Sequence, residues 1–375
     1  MRVTVTISTT RIWSLVFIAM TLKIVFFIYY KSFIEGTVFG GGNDSDYYHN
    51  FALGYDVITG QPVDFAANYW PVILRFLNEN ELYNREVLSL ILFVMSLTLT
   101  PYIYYKMVKI QANEIKPVMA GSFLLIIYYP TLFYLTLDIF RDVLMFTILL
   151  FSFLLYKKVL DSNQVRVRVR AYFFIYLGLA YFLYLMRSYL GFAMALTPFV
   201  YLILTKTRTY LKTWIIIYFV ALFLINISGA LDQILFYRER FTLFARGGST
   251  LGIGLLDKSP IMFVLYYIYS ILGQLFGLFF VNINSIFVFI LETVPFVVAL
   301  IYVFKNIKFM NKFAIFLLTF FTIYTTVWLL GNDNLGTAVR LRIPSYLVIF
   351  ACMFIIYQTK IVVGYEKIKR KKLEI

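Results

Sequence analysis

Apolar runs of about 17–25 residues recur along the whole chain, separated by short polar segments, and each is long enough to cross a bilayer as a helix. The pattern predicts ten spanning helices, at 11–33, 86–105, 118–137, 143–157, 171–187, 189–205, 213–230, 286–304, 313–331 and 344–360. Two long connections, 35–85 and 231–285, fall on one side of this arrangement. Residues 263–283 (FVLYYIYSILGQLFGLFFVNI) are also apolar enough to span. A span there would move every later lysine cluster to the other side, so the stretch reads as an interfacial or re-entrant pair of half-helices. The expected fold is an all-α polytopic membrane protein, a single integral membrane domain over 1–375. No soluble domain, long Gly/Ser linker or short repeat interrupts it.

Composition supports this class. The 375 residues are 61% hydrophobic and 20% aromatic, well above the apolar share of roughly 45–50% usual in soluble domains. The formal charge of +15 invites a nucleic-acid partner, but the placement of the charges argues against one. The segments 2–11, 106–116, 157–170, 206–212, 305–312 and 360–375 together hold 15 Lys and 7 Arg against only Glu114, Asp161, Glu366 and Glu374. The opposite side carries 9 Arg, 2 Lys and 14 acids. Such a bias sets insertion with both termini cytoplasmic and attracts anionic lipid. Lys23 and Glu292 are left inside spans. The first helix follows Arg2 and Arg11 and has no small-x-small cleavage site after it, so it is expected to be an uncleaved anchor. Cys352, the only cysteine, excludes disulfides and Cys-ligated metal sites.

The bases also differ in kind: lysine dominates the basic side and arginine the other. Arginine's planar fork binds phosphate and carboxylate bidentately, so the arginine-rich side is a candidate anion site. Its arginines sit near predicted helix ends: Arg141 in LDIFRDV, Arg187 in LMRSYLG, Arg238, Arg240 and Arg246 in FYRERFTLFARGGST, and Arg340 and Arg342 in GNDNLGTAVRLRIP. Ionisable groups at membrane depth are functional or paired; the plainer reading is that Asp138, Asp142 and Asp333 pair with them and hold helices together. In the first long loop, GNDSDYYHNFALG gathers Asp44, Asp46, Tyr47, Tyr48 and the chain's only histidine, His49. It reads as a short helix capped at Asn43 or Asp44, with Asp44, Tyr48 and Ala52 on one face. Asp44 is either a cap or a catalytic or metal-binding carboxylate, and His49 is a possible acid–base partner of Asp46 or a plain loop side chain. The stretch RGGSTLGIGLLDKSP, 246–260, is a flexible turn or a phosphate- or sugar-approaching loop, and it lacks the Gly-Lys-Ser/Thr of a nucleotide loop.

The combination of NDSDYYHNFALG, YWPVILRFLN, LDIFRDV, RGGST and GTAVRLRIP resembles the GT-C class of membrane glycosyltransferases. It also resembles the Wzy-type polymerases of capsule and O-antigen clusters. That resemblance implies a bacterial inner-membrane enzyme joining undecaprenyl-diphosphate-linked oligosaccharide units at the periplasmic face. It implies a GT-C-like bundle with two large periplasmic loops, membrane lipids as surroundings, a chain-length regulator as a possible partner, and no cofactor. In such chemistry Asp44 takes the acceptor proton, with Asp46 or His49 as alternates. Arg141, Arg187, Arg246, Arg340 and Arg342 hold the leaving phosphate without a metal, and Tyr48 and Trp70 contact sugar. The competing readings are a transferase adding one sugar from a polyprenyl-phosphate donor, a lipid-linked oligosaccharide flippase, a membrane acyltransferase restricted to His49, and a structural assembly partner.

Overall fold

Helix starts follow local chemistry. Asn84 accepts hydrogen bonds from the backbone N–H groups of Glu86 and Val87 at 3.0 Å each, Asn311 accepts from Ala314 N at 2.8 Å, and Asn282 with Ser285 forms a capping box; each satisfies orphan donors of a first turn. The computed structural model describes residues 9–34, 44–55, 68–110, 116–161, 165–206, 211–244, 250–256, 258–280 and 282–373. Along them run α1 (Thr9–Phe33), α2 (Asp44–Leu53), α3 (Trp70–Glu79), α4 (Arg85–Leu97), α5 (Leu99–Val108), α6 (Lys116–Tyr128), α7 (Pro130–Tyr134), α8 (Asp142–Val159) and α9 (Arg166–Met186). They are followed by α10 (Ser188–Lys206), α11 (Leu211–Ile227), α12 (Asp232–Phe244), α13 (Pro260–Ser270), α14 (Ile283–Val288), α15 (Val294–Lys305), α16 (Lys312–Gly331) and α17 (Leu335–Leu373). Single π-helical turns continue α13 over Ile271–Leu275 and join α14 to α15 over Phe289–Thr293.

Seven of the described helical stretches are long and apolar enough to cross a membrane, or eight when 216–227 and 232–239 count as one bent span. The expected ten is therefore corrected, in three places. The run 118–137 breaks at Tyr129–Pro130, because proline lacks the N–H that would continue the ladder and pushes the preceding residue out of the helical region; Tyr129 is accordingly extended, at ψ 110°. Its apolar part, Pro117–Tyr128, reaches about 18 Å at ~1.5 Å per residue, short of the ~30 Å hydrocarbon layer. The run 143–157 becomes α8, which carries Asp142, Lys157 and Lys158 within its own length. The run 213–230 bends by 81° after Ile227, where Gly229 takes a positive φ of 73°.

Residues 263–283 do not form a continuous span. One apolar helix, Pro260–Leu275, is followed by a non-helical stretch in which Gly277 has φ 61°. A Cβ at Gly277 would lie 2.7 Å from Arg342 Nη1, so glycine is needed there for both backbone and space. The expected partner half-helix is absent among the described residues, and α14 belongs to the next span, Ile283–Lys305.

The bundle is built around α16 and α17. Their inward side chains include Phe316, Leu317, Phe320, Tyr324, Tyr346 and Ile349, all essentially inaccessible. Aromatic contacts tie them to neighbours: Tyr156 stacks on Phe316 at 3.9 Å, and Phe296 on Tyr346 at 3.9 Å. Large apolar side chains such as Phe17, Leu22 and Phe33 on α1 and Phe174 on α9 are exposed, as a lipid-facing surface requires.

The two ends of the bundle are chemically distinct. At one end Lys157 Nζ donates to the carbonyls of Lys106 (3.2 Å), Met107 (2.9 Å) and Lys109, and Gln358 Nε2 donates to Val108 O at 2.9 Å. These groups close the C-terminus of α5, where a cation also complements the helix dipole. At the opposite end, at the N-termini of α4 and α8, arginines meet aspartates. The lysine–arginine division read from the sequence thus corresponds to two ends of one structure.

Candidate functional site

The arginine-rich end is assembled from five places in the chain. The first is the start of α2. The second is Arg85 at the start of α4. The third is the turn 135–141 leading into α8, and the fourth is the start of α17. Arg187, between α9 and α10, closes the group. Its turn is tight because α10 lies directly on α9: a Cβ at Gly191 would sit 2.2 Å from Tyr184 N and 2.3 Å from Ala180 O.

Two Asp–Arg–Asp bridges run side by side. In the first, Arg340 donates from Nη1 to Asp44 Oδ2 and from Nη2 to Asp142 Oδ2 at 2.6 Å. Arg187 Nη1 reaches the other oxygen of Asp142 at 3.1 Å, and Arg141 Nη1 donates to Met186 O. In the second, Arg85 binds Asp138 through two nitrogens, at 2.9 and 2.5 Å, and Asp46 at 2.7 Å. In both bridges the acid from the α8 turn is largely buried, while the α2 acid is about half exposed: Asp142 and Asp138 are 5% and 12% exposed, Asp44 and Asp46 47% and 48%. Burial opposes the charge on Asp138, but the hydrogen bonds and charge of Arg85 outweigh it and hold the carboxyl below its usual range.

Beside the second bridge a cleft of about 200 Å³ is lined by Tyr30, Lys31, Ile34, Asp46, Arg85, Glu86 and Asp138. The Arg187–Arg340 side holds only a void of about 10 Å³, bordered by Asp142, Tyr324 and Pro344 among others, which is about one water probe sphere. Yet Arg141 Nε, Arg187 Nε, Arg340 Nε and Ser188 Oγ are buried with no hydrogen-bond partner among the described residues. Among the described residues, the donors for an anion are present beside a void of only that size.

The expected site residues divide accordingly. Asp44, Asp46, Arg141, Arg187 and Arg340 are brought together. Arg342 is not: two positions on from Arg340, it leaves the opposite side of α17, over the Tyr346 ring at 5.5 Å and within 3.5 Å of Thr293 Oγ1. Neither arginine precedes the last helix, since α17 begins at Leu335, where Asn334 Oδ1 caps Thr337 N at 2.9 Å. Trp70 is buried and donates Nε1–H to Ile139 O at 2.7 Å. It braces the turn that carries Asp138, rather than presenting a ring to a sugar.

Tyr48 is buried as well, sharing the inner face of α2 with Ser45 and Ala52, while Asp44 stands at its edge. His49 Nδ1 meets Tyr83 Oη at 2.9 Å, not Asp46. Burial lowers the His49 pKa and pushes the Tyr83 phenol up to about 12. Asn43 and Arg246 lie outside the described residues.

Sequence reasoning passed over Arg85 as a site residue. One signal was available: a cation at a helix N-terminus opposes the helix dipole, so an arginine there needs a partner of its own. Of the acids expected to pair with the helix-end arginines, Asp142 meets Arg187 and Arg340 and Asp333 meets Arg238 at 2.7 Å in full burial, whereas Asp138 takes Arg85 instead. Among the described residues no three His, Cys, Asp or Glu side chains converge as metal ligands.

Comparison with family models, with curated proteins and with solved structures gives no match.

Proposed function

We propose that the protein is a membrane glycosyltransferase of the polymerase kind, joining polyprenyl-diphosphate-linked oligosaccharide units at its arginine-rich end. The observation that carries this reading is the Asp44–Arg340–Asp142 bridge with Arg187 and Arg141 beside it. It sets a half-exposed carboxylate next to a cluster of largely buried guanidinium groups. Glycosyl transfer needs this pair. The acceptor hydroxyl oxygen bonds to the anomeric carbon, the anomeric carbon–phosphate oxygen bond breaks, the hydroxyl proton passes to Asp44, and the departing diphosphate's charge is met by arginine. Asp44 is the half-exposed partner on Arg340, which suits it to reach an acceptor; Asp142, at 5% exposure, is the anchor. By the positive-inside rule the lysine-rich end would face the cytoplasm and this end the other side; a bacterial inner membrane and a chain-length regulator as partner are what the resemblance to membrane glycosyltransferases implies.

The test is a surface-polysaccharide gel from a strain lacking the gene, complemented with wild type or Asp44→Asn. A polysaccharide ladder that collapses to a single lipid-linked unit, and that Asp44→Asn fails to restore at normal protein level, supports polymerisation. Loss of even the single unit points to a one-sugar transferase or a flippase acting earlier and ends the polymerase reading.

A further inference from the structure

The anion site described above is closed. Its arginines carry unpartnered buried donors, but the void between Arg187 and Arg340 is about 10 Å³, far too small for a diphosphate. The one bridge member on Arg340 that can leave is Asp44. It is 47% exposed, whereas Asp142 on the other nitrogen is 5% exposed. Asp44 also sits in the first turn of a helix of only ten residues.

The geometry points to Asp44 as a latch on the anion site: its carboxylate occupies Arg340 in place of a phosphoryl group, and an arriving diphosphate exchanges with it. This rests on the glycosyl-transfer reading and names how that site is regulated. With Asp44 bound, Arg141, Arg187 and Arg340 face two carboxylates. Once it leaves, three guanidinium charges stand against Asp142 alone, and a dianion neutralises the excess. Exchange also releases Asp44 Oδ2 from the guanidinium, so its lone pairs become free for the acceptor hydroxyl proton. The base is therefore presented only after the leaving group's phosphates are held, which guards against release of activated sugar to water. No bond is made or broken in the exchange; one charge-assisted hydrogen bond replaces another.

The experiment uses the full chain in lipid nanodiscs and inorganic pyrophosphate as probe. Isothermal titration of wild type, Asp44→Asn and Glu86→Gln separates a latch from a general field effect. Both variants remove one negative charge, but Glu86 pairs with Lys31 at 3.0 Å and not with Arg340. Asp44→Asn is expected to bind pyrophosphate about two- to fivefold more tightly, the worth of a partly exposed ion pair, with Glu86→Gln close to wild type. Hydrogen exchange on the wild-type protein gives a second readout that needs no variant: pyrophosphate should raise deuterium uptake over Asp44–Leu53.

Equal tightening in both variants, no tightening in Asp44→Asn, or unchanged uptake in α2 each overturns the latch. Because none of these measurements involves a sugar, the two ideas fail separately. Pyrophosphate-driven release without polymer synthesis ends the transferase reading alone, and polymer synthesis without release ends the latch alone.

Discussion

Arg340 holds two carboxylates that differ mainly in burial, and this makes a sharp prediction about their replacement by asparagine. Asp142 accepts from Arg187 at 3.1 Å and from Arg340 at 2.6 Å with 5% of its side chain exposed. Asp142→Asn keeps the shape but removes the charge and turns one oxygen into an N–H₂ group facing a guanidinium. Two buried arginines then share one neutral acceptor, and breaking a buried pair in this way costs about 3–5 kcal/mol. Asp44→Asn removes the same charge from the same guanidinium at a site 47% exposed, where water repairs most of the loss and the cost is about 0–1 kcal/mol. The assay is reversible unfolding of the purified protein in mixed micelles with increasing dodecyl sulfate, comparing free energies at one detergent composition. A second-site change, Arg187→Met in the Asp142→Asn background, should recover part of the loss, because Arg187 pairs with Asp142 whereas Arg340 keeps Asp44. Equal costs for the two asparagine variants would refute the reasoning, since burial would then not be what separates anchor from latch.

Other expectations follow from the same geometry. Arg238 and Asp333 are fully buried, and Arg238 also donates to Leu329 O at 2.7 Å and Ile253 O at 3.1 Å; Arg238→Met and Asp333→Asn should be non-additive by about 1–3 kcal/mol in a double-mutant cycle, and additivity would deny the clamp. Trp70→Phe keeps a ring but leaves Ile139 O without its 2.7 Å donor, so it should cost about 1–3 kcal/mol of stability while activity per folded molecule stays level; a selective loss of substrate affinity would return Trp70 to sugar binding. His49, with its pKa lowered by burial, binds fewer protons folded than unfolded below its ordinary pKa of about 6.5, so its contribution makes stability rise as pH climbs toward that value and level above it. His49→Gln should flatten that slope, and an unchanged slope counts against the assignment.

The hydrophobic pattern alone was enough to identify a helical membrane protein, because a bilayer admits only backbone that satisfies itself, and runs of apolar residues report that directly. The lysine–arginine split was equally legible, since charge sidedness is written in composition. Span count was less so. Tyr129–Pro130 and the bend at Gly229 each interrupt a run whose hydropathy reads as continuous, and backbone geometry, not apolarity, decides where those helices stop; α8 is unbroken and leaves the count only through the charges at its two ends.

At the candidate site, the sequence by itself determined which residue types gather at one end: Asp44, Asp46, Arg141, Arg187 and Arg340. It could not determine partners. Arg340 and Arg342 look equivalent in LGTAVRLRIP, yet a helix turns about 100° per residue, so a start at Leu335 sends them to opposite sides of α17, one to Asp142 and one to Thr293 and Tyr346. Trp70 looks exposed in a loop segment but is locked under the turn before α8. The 296-residue separation of Asp44 and Arg340 cannot be read from any local pattern. Only the packing of α2, α4, α8 and α17 brings those charges together, and only the burial so created makes one carboxylate of the pair an anchor and the other exchangeable.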